Sequence, residues 1–344
     1  MQDVPRTIWW DGDGVAVLDQ TQLPHDVAVV HWYTVEAAAH GISTMQVRGA
    51  PLIGVAAAHG VALAMAADAS DASLDSALDG LGRTRPTAVN LRWALQRVDA
   101  ALRNRPPSER AEAARRIATE LADEDAATCR TLGEIGLPLL RAAAEGRGEG
   151  AVQVLTHCNA GRLACVEWGT ATAPIYLAAG SGLDVHVWVS ETRPRNQGSA
   201  LTAWELGQRG VPHTVVVDDA AGHLFREGLV DLCLIGADRI AANGDVANKV
   251  GTYLKALAAH DNDVPFHVVA PTSSVDHSAA EGTAIPIEER DATEVTTLAG
   301  VALAPAATPA RNWAFDVTPA RLITDLVTER GIVPATPAGV GSLR

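Results

Sequence analysis

The sequence predicts an α/β protein. A parallel sheet with helices on both faces fills its C-terminal part, behind a smaller N-terminal unit of short strands and helices. Three observations predict it. Apolar runs at 152–156, 184–189, 214–217, 229–235 and 266–270 alternate with helical stretches such as 199–209 and 248–260. Short runs rich in Val, Ile and Leu read as strands buried on both faces of a parallel sheet. Upstream, residues 34–147 are rich in Ala, Leu and charge at helical spacing, and 344 residues suit two domains better than one core.

The elements follow in order. Residues 8–10 and 16–18 look like short strands separated by the turn signal Asp11-Gly12-Asp13-Gly14. Helices are expected at 35–40, 51–67, 90–104 and 107–129, the second nearly all apolar and therefore buried. Gly146-Arg147-Gly148-Glu149-Gly150 reads as a linker, which divides the chain into domains at 1–147 and 148–344. The Pro/Ala-rich stretch 304–310 reads as loop. No internal repeat and no Gly-rich dinucleotide or Walker fingerprint is found.

Composition excludes several classes of function. Hydrophobic residues make up 47%, and the net charge is −14. An acidic chain is a poor non-specific ligand for nucleic acid, because such binding depends on neutralising phosphates. A few well-placed Arg or Lys still suffice for a small phosphate. No apolar stretch is read as a membrane span, and the start Met1-Gln2-Asp3-Val4-Pro5-Arg6 lacks a leader's basic-then-apolar layout, so a cytoplasmic protein is expected. The four cysteines form no C-x-x-C pair, which argues against zinc and for free thiols.

Two strand ends carry chemistry. The run 152–156 leads into His157-Cys158-Asn159-Ala160-Gly161, and the run 229–235 leads into Gly236-Ala237-Asp238. Ligands of open α/β sheets bind beyond the carboxyl ends of such strands. A lone Cys is usually inert core filling, as expected here for Cys165 and Cys233. Cys158 follows a strand and precedes a helical pattern, a placement that favours thiolate. Asp238 is either the N-cap of a following helix or, among small apolar neighbours, a general acid. Three loops suit an anion: Arg48-Gly49-Ala50-Pro51 ahead of a helix, Asn248-Lys249-Val250-Gly251-Thr252, and the polar run from Glu191 to Gly198. His157 reads as a packed or orienting residue. The Trp9-Trp10 pair reads as interface or core.

These motifs resemble the methylthioribose-1-phosphate isomerase family. Its superfamily also holds ribose-1,5-bisphosphate isomerase and regulatory subunits of a translation-initiation exchange factor. The resemblance covers nearly the whole chain. It is carried by Leu18-Asp19-Gln20-Thr21-Gln22-Leu23-Pro24, Thr44-Met45-Gln46-Val47-Arg48-Gly49-Ala50-Pro51, Arg85-Pro86-Thr87-Ala88-Val89-Asn90-Leu91 and His157-Cys158-Asn159-Ala160-Gly161. Further along it is carried by Glu191-Thr192-Arg193-Pro194-Arg195, Gln197-Gly198, the run Gly236 to Asp245, Ala247-Asn248-Lys249 and the run Ile285 to Asp291.

The resemblance implies a small N-terminal domain, a Rossmann-like C-terminal domain, a homodimer and no metal or organic cofactor. It implies a catalytic pair at Cys158 and Asp238. It also implies substrate contacts from Arg48, Gly49, Ala50, Arg85, Gln197, Asn248 and Lys249. The expected reaction, in methionine salvage, converts a 5-substituted 5-deoxyribose 1-phosphate, 5-methylthioribose 1-phosphate above all, to the ribulose 1-phosphate. Ribose-1,5-bisphosphate isomerisation and a non-catalytic binding subunit are the alternatives. The chain departs from the family pattern at Cys129, at Arg162, at Cys165-Val166-Glu167-Trp168, at Ser190 and at Ala200, with Arg162 a candidate stand-in for an Arg missing at Ala200.

Overall fold

A computed structural model describes residues 6–85 and 88–344. Met1 to Pro5, read above for a leader, and Pro86 and Thr87 of the Arg85 motif lie outside the described residues. The chain opens with an antiparallel sheet of β1 (Ile8–Asp11), β2 (Gly14–Leu18) and β3 (Val29–Trp32). The sequence reading anticipated the first two strands. Helices α1 (Val35–Ser43), α2 (Ala50–Ala67), α3 (Asp71–Gly82), α4 (Val89–Leu102) and α5 (Pro107–Arg147) follow. By length and composition α2 is apolar enough to cross a membrane, contrary to the sequence reading, yet 83% of it is buried inside the protein. Its apolar residues point all round because helices and sheet surround it, so there is no polar face to expose.

The helix expected at 107–129 continues to Arg147, with Pro138 inside it. Its first turns pack through Ala113, Ile117 and Leu121 into the N-terminal core. Its last turns give Leu132 and Leu140 to the C-terminal core.

The C-terminal part alternates β4 (Val152–His157), α6 (Thr172–Gly180), β5 (Val185–Ser190), α7 (Ala203–Gln208), β6 (His213–Val216), α8 (Ala221–Arg226) and β7 (Leu232–Ile235). Next come β8 (Arg239–Ala241), β9 (Val246–Lys249), α9 (Thr252–Asp261), β10 (Phe266–Val269), β11 (Val275–Asp276), α10 (Thr293–Thr296), β12 (Thr297–Leu298) and β13 (Val301–Ala302). The chain ends with β14 (Phe315–Thr318), β15 (Asp325–Thr328), β16 (Gly331–Val333) and α11 (Pro337–Gly341). The main sheet has the order β16-β15-β10-β7-β4-β5-β6, parallel except for β16. Helices α6 and α7 cover one face, and α8 and α9 the other.

From β4 the chain winds through β5 to β6, then returns to place β7 on the other side of β4. The β4/β7 boundary is therefore where strand order reverses, the point at which open α/β sheets form their ligand crevice. A second sheet, β11-β8-β9-β14, stands beside it. One expectation is corrected here. Asn248 and Lys249 do not start a helix. They end β9, and α9 starts at Thr252 after Gly251 turns the chain at φ +99°.

Candidate active site

Cys158 follows the last residue of β4, and Asp238 lies three residues beyond the end of β7, so both stand at the switch point. They line one cavity. Arg48, Gly49, Ala50, Arg85, Gln197, Asn248 and Lys249 line it with them, so all nine residues expected from the sequence converge.

Each arrives by a separate element. Gly49 caps α2, and Ala50 and Pro51 open it. The first-turn N–H groups of a helix lack intrahelical acceptors and favour an anion. Gly49 has φ +103°, and a Cβ there would stand 2.5 Å from Ala164 Cα, so only glycine lets this helix start approach the cavity wall. Asn248 and Lys249 come from β9, which pairs with β14 so that Phe315 lies opposite Lys249.

The electrostatics set the chemistry. Arg48, Arg85, Lys249 and Arg290 line the cavity against the single carboxyl of Asp238. This is a cationic pocket inside an acidic protein, suited to a phosphate dianion. Burial pushes the Asp238 carboxyl up, and Lys249, Arg85, Arg290 and Arg48 oppose that rise. Burial and Arg290 bring the Lys249 ammonium down to about 8, while Cys158 and Asp238 favour its charged form. Lys249 Nζ donates to Ala314 O at 2.8 Å and lies 4.8 Å from the Phe315 ring centre. Gln197 Oε1 and Arg85 Nε are buried without a partner among the described residues. An acceptor and a donor left this way are waiting for a polar ligand.

Cys158 is not at a helix N-terminus as expected, because α6 begins only at Thr172. A different device holds it. Its backbone is left-handed, at φ +60°. Its N–H donates to Thr192 Oγ1 at 2.8 Å, and its carbonyl accepts from Thr202 Oγ1 at 2.6 Å. His157 is buried and donates Nε2–H to Val250 O at 2.9 Å, and burial holds it neutral, down to about 3. It is packed and hydrogen-bonded, one of the two alternatives of the sequence reading.

Among the lining residues to which sequence reasoning gave no role are Asn159, Arg290 and Phe315. Asn159 and Arg290 sit inside quoted motifs, so the signal was present. Phe315 comes from a short strand with no motif. Asn159 is clamped: Arg48 donates to its carbonyl at 2.9 Å and to its side chain, and Asn159 Nδ2 donates to Glu205 at 2.6 Å. Arg48 therefore buttresses the wall as well as lining it. Burial raises the Glu205 carboxyl to about 7. Of the departures, Cys165 lines the cavity, whereas Arg162 does not and lies in the field of Glu205. Ala200 faces a neighbouring pocket, and Ser190 Oγ donates to Asp218.

The cavity adjoins a mostly apolar recess lined by Ile53, Ala88, Ala247, Ile285, Pro286 and Ile287 together with Arg239, and the two share Gly49, Ala50, Arg85, Asp238 and Phe315.

Comparison with known proteins agrees with this geometry. Residues 46–335 match the Initiation factor 2 subunit family. The chain is 55% identical to methylthioribose-1-phosphate isomerase of Acidiphilium cryptum over 351 residues, covering 98% of this chain and 95% of that one. It is 54% identical to methylthioribose-1-phosphate isomerase of Brucella anthropi, covering 98% and 96%. The crystal structure of 5-methylthioribose 1-phosphate isomerase from Pyrococcus horikoshii superposes with a TM-score of 0.88 at 38% identity, covering 99% of this chain and 96% of that one. Translation initiation factor eIF-2B subunit delta from A. fulgidus gives 0.85 at 39% identity, covering 99% of both chains. On a family match across most of the chain and relatives above half identical across almost all of it, the chain belongs to the Initiation factor 2 subunit family and, within it, to the methylthioribose-1-phosphate isomerases.

Proposed function

We propose that this protein isomerises 5-methylthioribose 1-phosphate to 5-methylthioribulose 1-phosphate, with Asp238 and Cys158 as its proton-handling pair. One cavity holding a thiol, a carboxyl biased towards its protonated form and four cations, with an apolar recess alongside, supports this reading. Phosphorylation at C1 keeps the sugar a ring, so the ring must open before hydrogen can move from C2 to C1. Asp238 donates a proton to the ring oxygen as the C1–O bond breaks. Cys158 thiolate takes the C2 proton and returns one to C1, the Asp238 carboxylate takes the C2 hydroxyl proton as the ketone forms and is thereby reprotonated, and the α2 N–H groups and Lys249 hold the phosphate.

The apolar recess separates the rival readings. A thioether gains from burial against Ile53, Ile285 and Phe315, whereas the two guanidinium groups of the recess, Arg85 and Arg239, already face Glu288 and Asp276, so a second phosphate would compete with those carboxylates. A second phosphate needs a second cationic pocket, for which Arg162 and Arg195 are the candidates; Arg195 is paired with Glu294 at 2.8 Å, and Arg162 does not line the cavity. The likeness to an initiation-factor subunit does not favour a purely regulatory role, because the more identical relatives are isomerases.

The test is a panel of 5-modified ribose 1-phosphates together with ribose 1,5-bisphosphate. The methylthio compound is expected to give the highest kcat/KM. Preference for the bisphosphate, or binding without turnover of any member, overturns the reading.

The pH profile supplies a further check. Above about pH 8 Lys249 loses its proton and its attraction for the phosphate dianion. Accordingly kcat/KM, which reports the free enzyme, should fall through an alkaline limb near pH 8. A bound dianion holds the proton on, so the limb in kcat should lie higher. Lys249→Met should raise KM and remove the limb, and an unchanged profile in that variant would assign the limb elsewhere.

A further inference from the structure

We propose that Asp125, Cys129 and Cys165 form a site for a thiophilic divalent cation, zinc(II) above all, standing behind the reaction cavity and taking no part in the chemistry. Asp125 and Cys129 are one turn apart on α5 and share a face. Cys165 comes from the loop after the short turn Arg162–Ala164. One carboxylate oxygen and the two sulfurs all lie within 4.8 Å of one another. Around zinc, with bonds of about 2.3 Å to sulfur and about 2.1 Å to oxygen, tetrahedral ligands are separated by roughly 3.5–3.8 Å, so small side-chain rotations close the set. Two thiolates with one carboxylate suit zinc better than magnesium or calcium, which prefer oxygen.

The surroundings suit a site of this kind. Both sulfurs are buried, hydrogen-bonded to each other and packed with Ala164 and Trp168. A divalent ion held by two thiolates and one carboxylate carries one net negative charge, and the Arg6 guanidinium stands close by on Asp123 and Glu167. The donors are also oriented from outside. Val166 N–H donates to Asp125 Oδ2 at 2.7 Å, and Thr7 Oγ1 donates to the Cys165 carbonyl at 2.5 Å. Asp125 and its neighbour Thr128 line a surface groove, which gives an ion a way in and leaves water for the fourth position. The spacing argument against zinc considered local motifs only, and this cluster joins two distant segments.

Its consequence is mechanical. Cys165 and its neighbour Ala164 line the cavity, and Ala164 is the backbone against which Gly49 packs. The ion would pin that wall to α5.

The test uses the full chain with Cys158→Ala, which removes the half-exposed thiol, kept reduced by a phosphine and titrated with cobalt(II) alone. The expected result is one equivalent bound, with a sulfur-to-cobalt charge-transfer band and strong tetrahedral d–d bands, both bleached by an equivalent of zinc(II). Adding Cys129→Ala should abolish the charge-transfer band. Adding Asp125→Asn should retain sulfur ligation and weaken binding by about tenfold or more. If circular dichroism shows the Cys129→Ala chain unfolded, the isosteric Cys129→Ser is read in its place. Absence of the band in the reduced chain, or its persistence in the Cys129 variant, overturns the site. So does a Cys129–Cys165 disulfide in the untreated protein combined with no cobalt binding after reduction.

Discussion

Cys158→Ser and Asp238→Asn should each lower kcat by about 10³-fold, the scale of a lost proton-transfer group, with the fold intact. Serine keeps the shape but is far too weak an acid to supply an anion near neutral pH. Asparagine keeps the shape of the carboxyl but cannot deliver a proton to the ring oxygen. The stability side has a definite sign. Because burial raises Asp238 in the folded state, its carboxylate destabilises the fold at pH values above the ordinary carboxylate range. Asparagine removes that cost, so its Tm should equal or exceed the parent's while activity is lost. A residue conserving structure alone would show the reverse. Isomerisation in deuterium oxide gives the second readout. Deuterium at C1 of the product is expected if Cys158 exchanges the carbon-bound proton. Complete retention of the substrate's own C2 label, together with near-parental kcat in Cys158→Ser, would replace the thiolate with a hydride shift.

The site was readable because its two reactive groups follow apolar runs that are local in sequence. The runs 152–156 and 229–235 become β4 and β7, adjacent parallel strands, and adjacency at the switch point brings Cys158 and Asp238 together. What was unreadable depends on pairing between distant segments. Strand β9 has four residues, too few for a period, and its polar end Asn248-Lys249 looks like a helix start until β14 pairs with it. The same pairing delivers Phe315, which carries no motif. The helical pattern following Asn159-Ala160-Gly161 suggests an early helix. In the structure, Gly161 pairs with Gly169 across the intervening loop, which postpones α6 to Thr172. The packing of Cys129 on α5 against Cys165 in the loop after Ala164 has no local signature either.

Thr192→Val is expected to lower kcat by roughly 10²-fold, the scale of a misplacement of about 1 Å at a reacting group. Thr192 follows β5, adjacent to β4, and has φ +69°, an outlier for a β-branched residue. Its own N–H donates to Asp218 at 2.9 Å, and its hydroxyl donates to Ser190 O at 2.9 Å while accepting from Cys158 N–H. Asp218 also receives Ser190 Oγ and Arg193 N–H and faces Lys255 at 3.8 Å. This network holds two left-handed residues side by side, and strain of that kind persists only where neighbours over-determine it. Valine is nearly isosteric but accepts no hydrogen bond, which leaves the Cys158 N–H unpaired at a cost of about 1–3 kcal/mol. The loop is expected to relax and swing the sulfur away from the furanose. Such a change should fall on kcat while KM stays within about twofold, because the phosphate is held by α2 and Lys249. Iodoacetamide alkylation of Cys158 should slow or speed in parallel with the loss. Thr192→Ser, which restores the acceptor oxygen, should recover most of the activity. A Thr192→Val enzyme with parental kcat, or one that Ser does not rescue, would mean that the left-handed turn at Cys158 is held by the chain on either side of it and owes nothing to this hydroxyl.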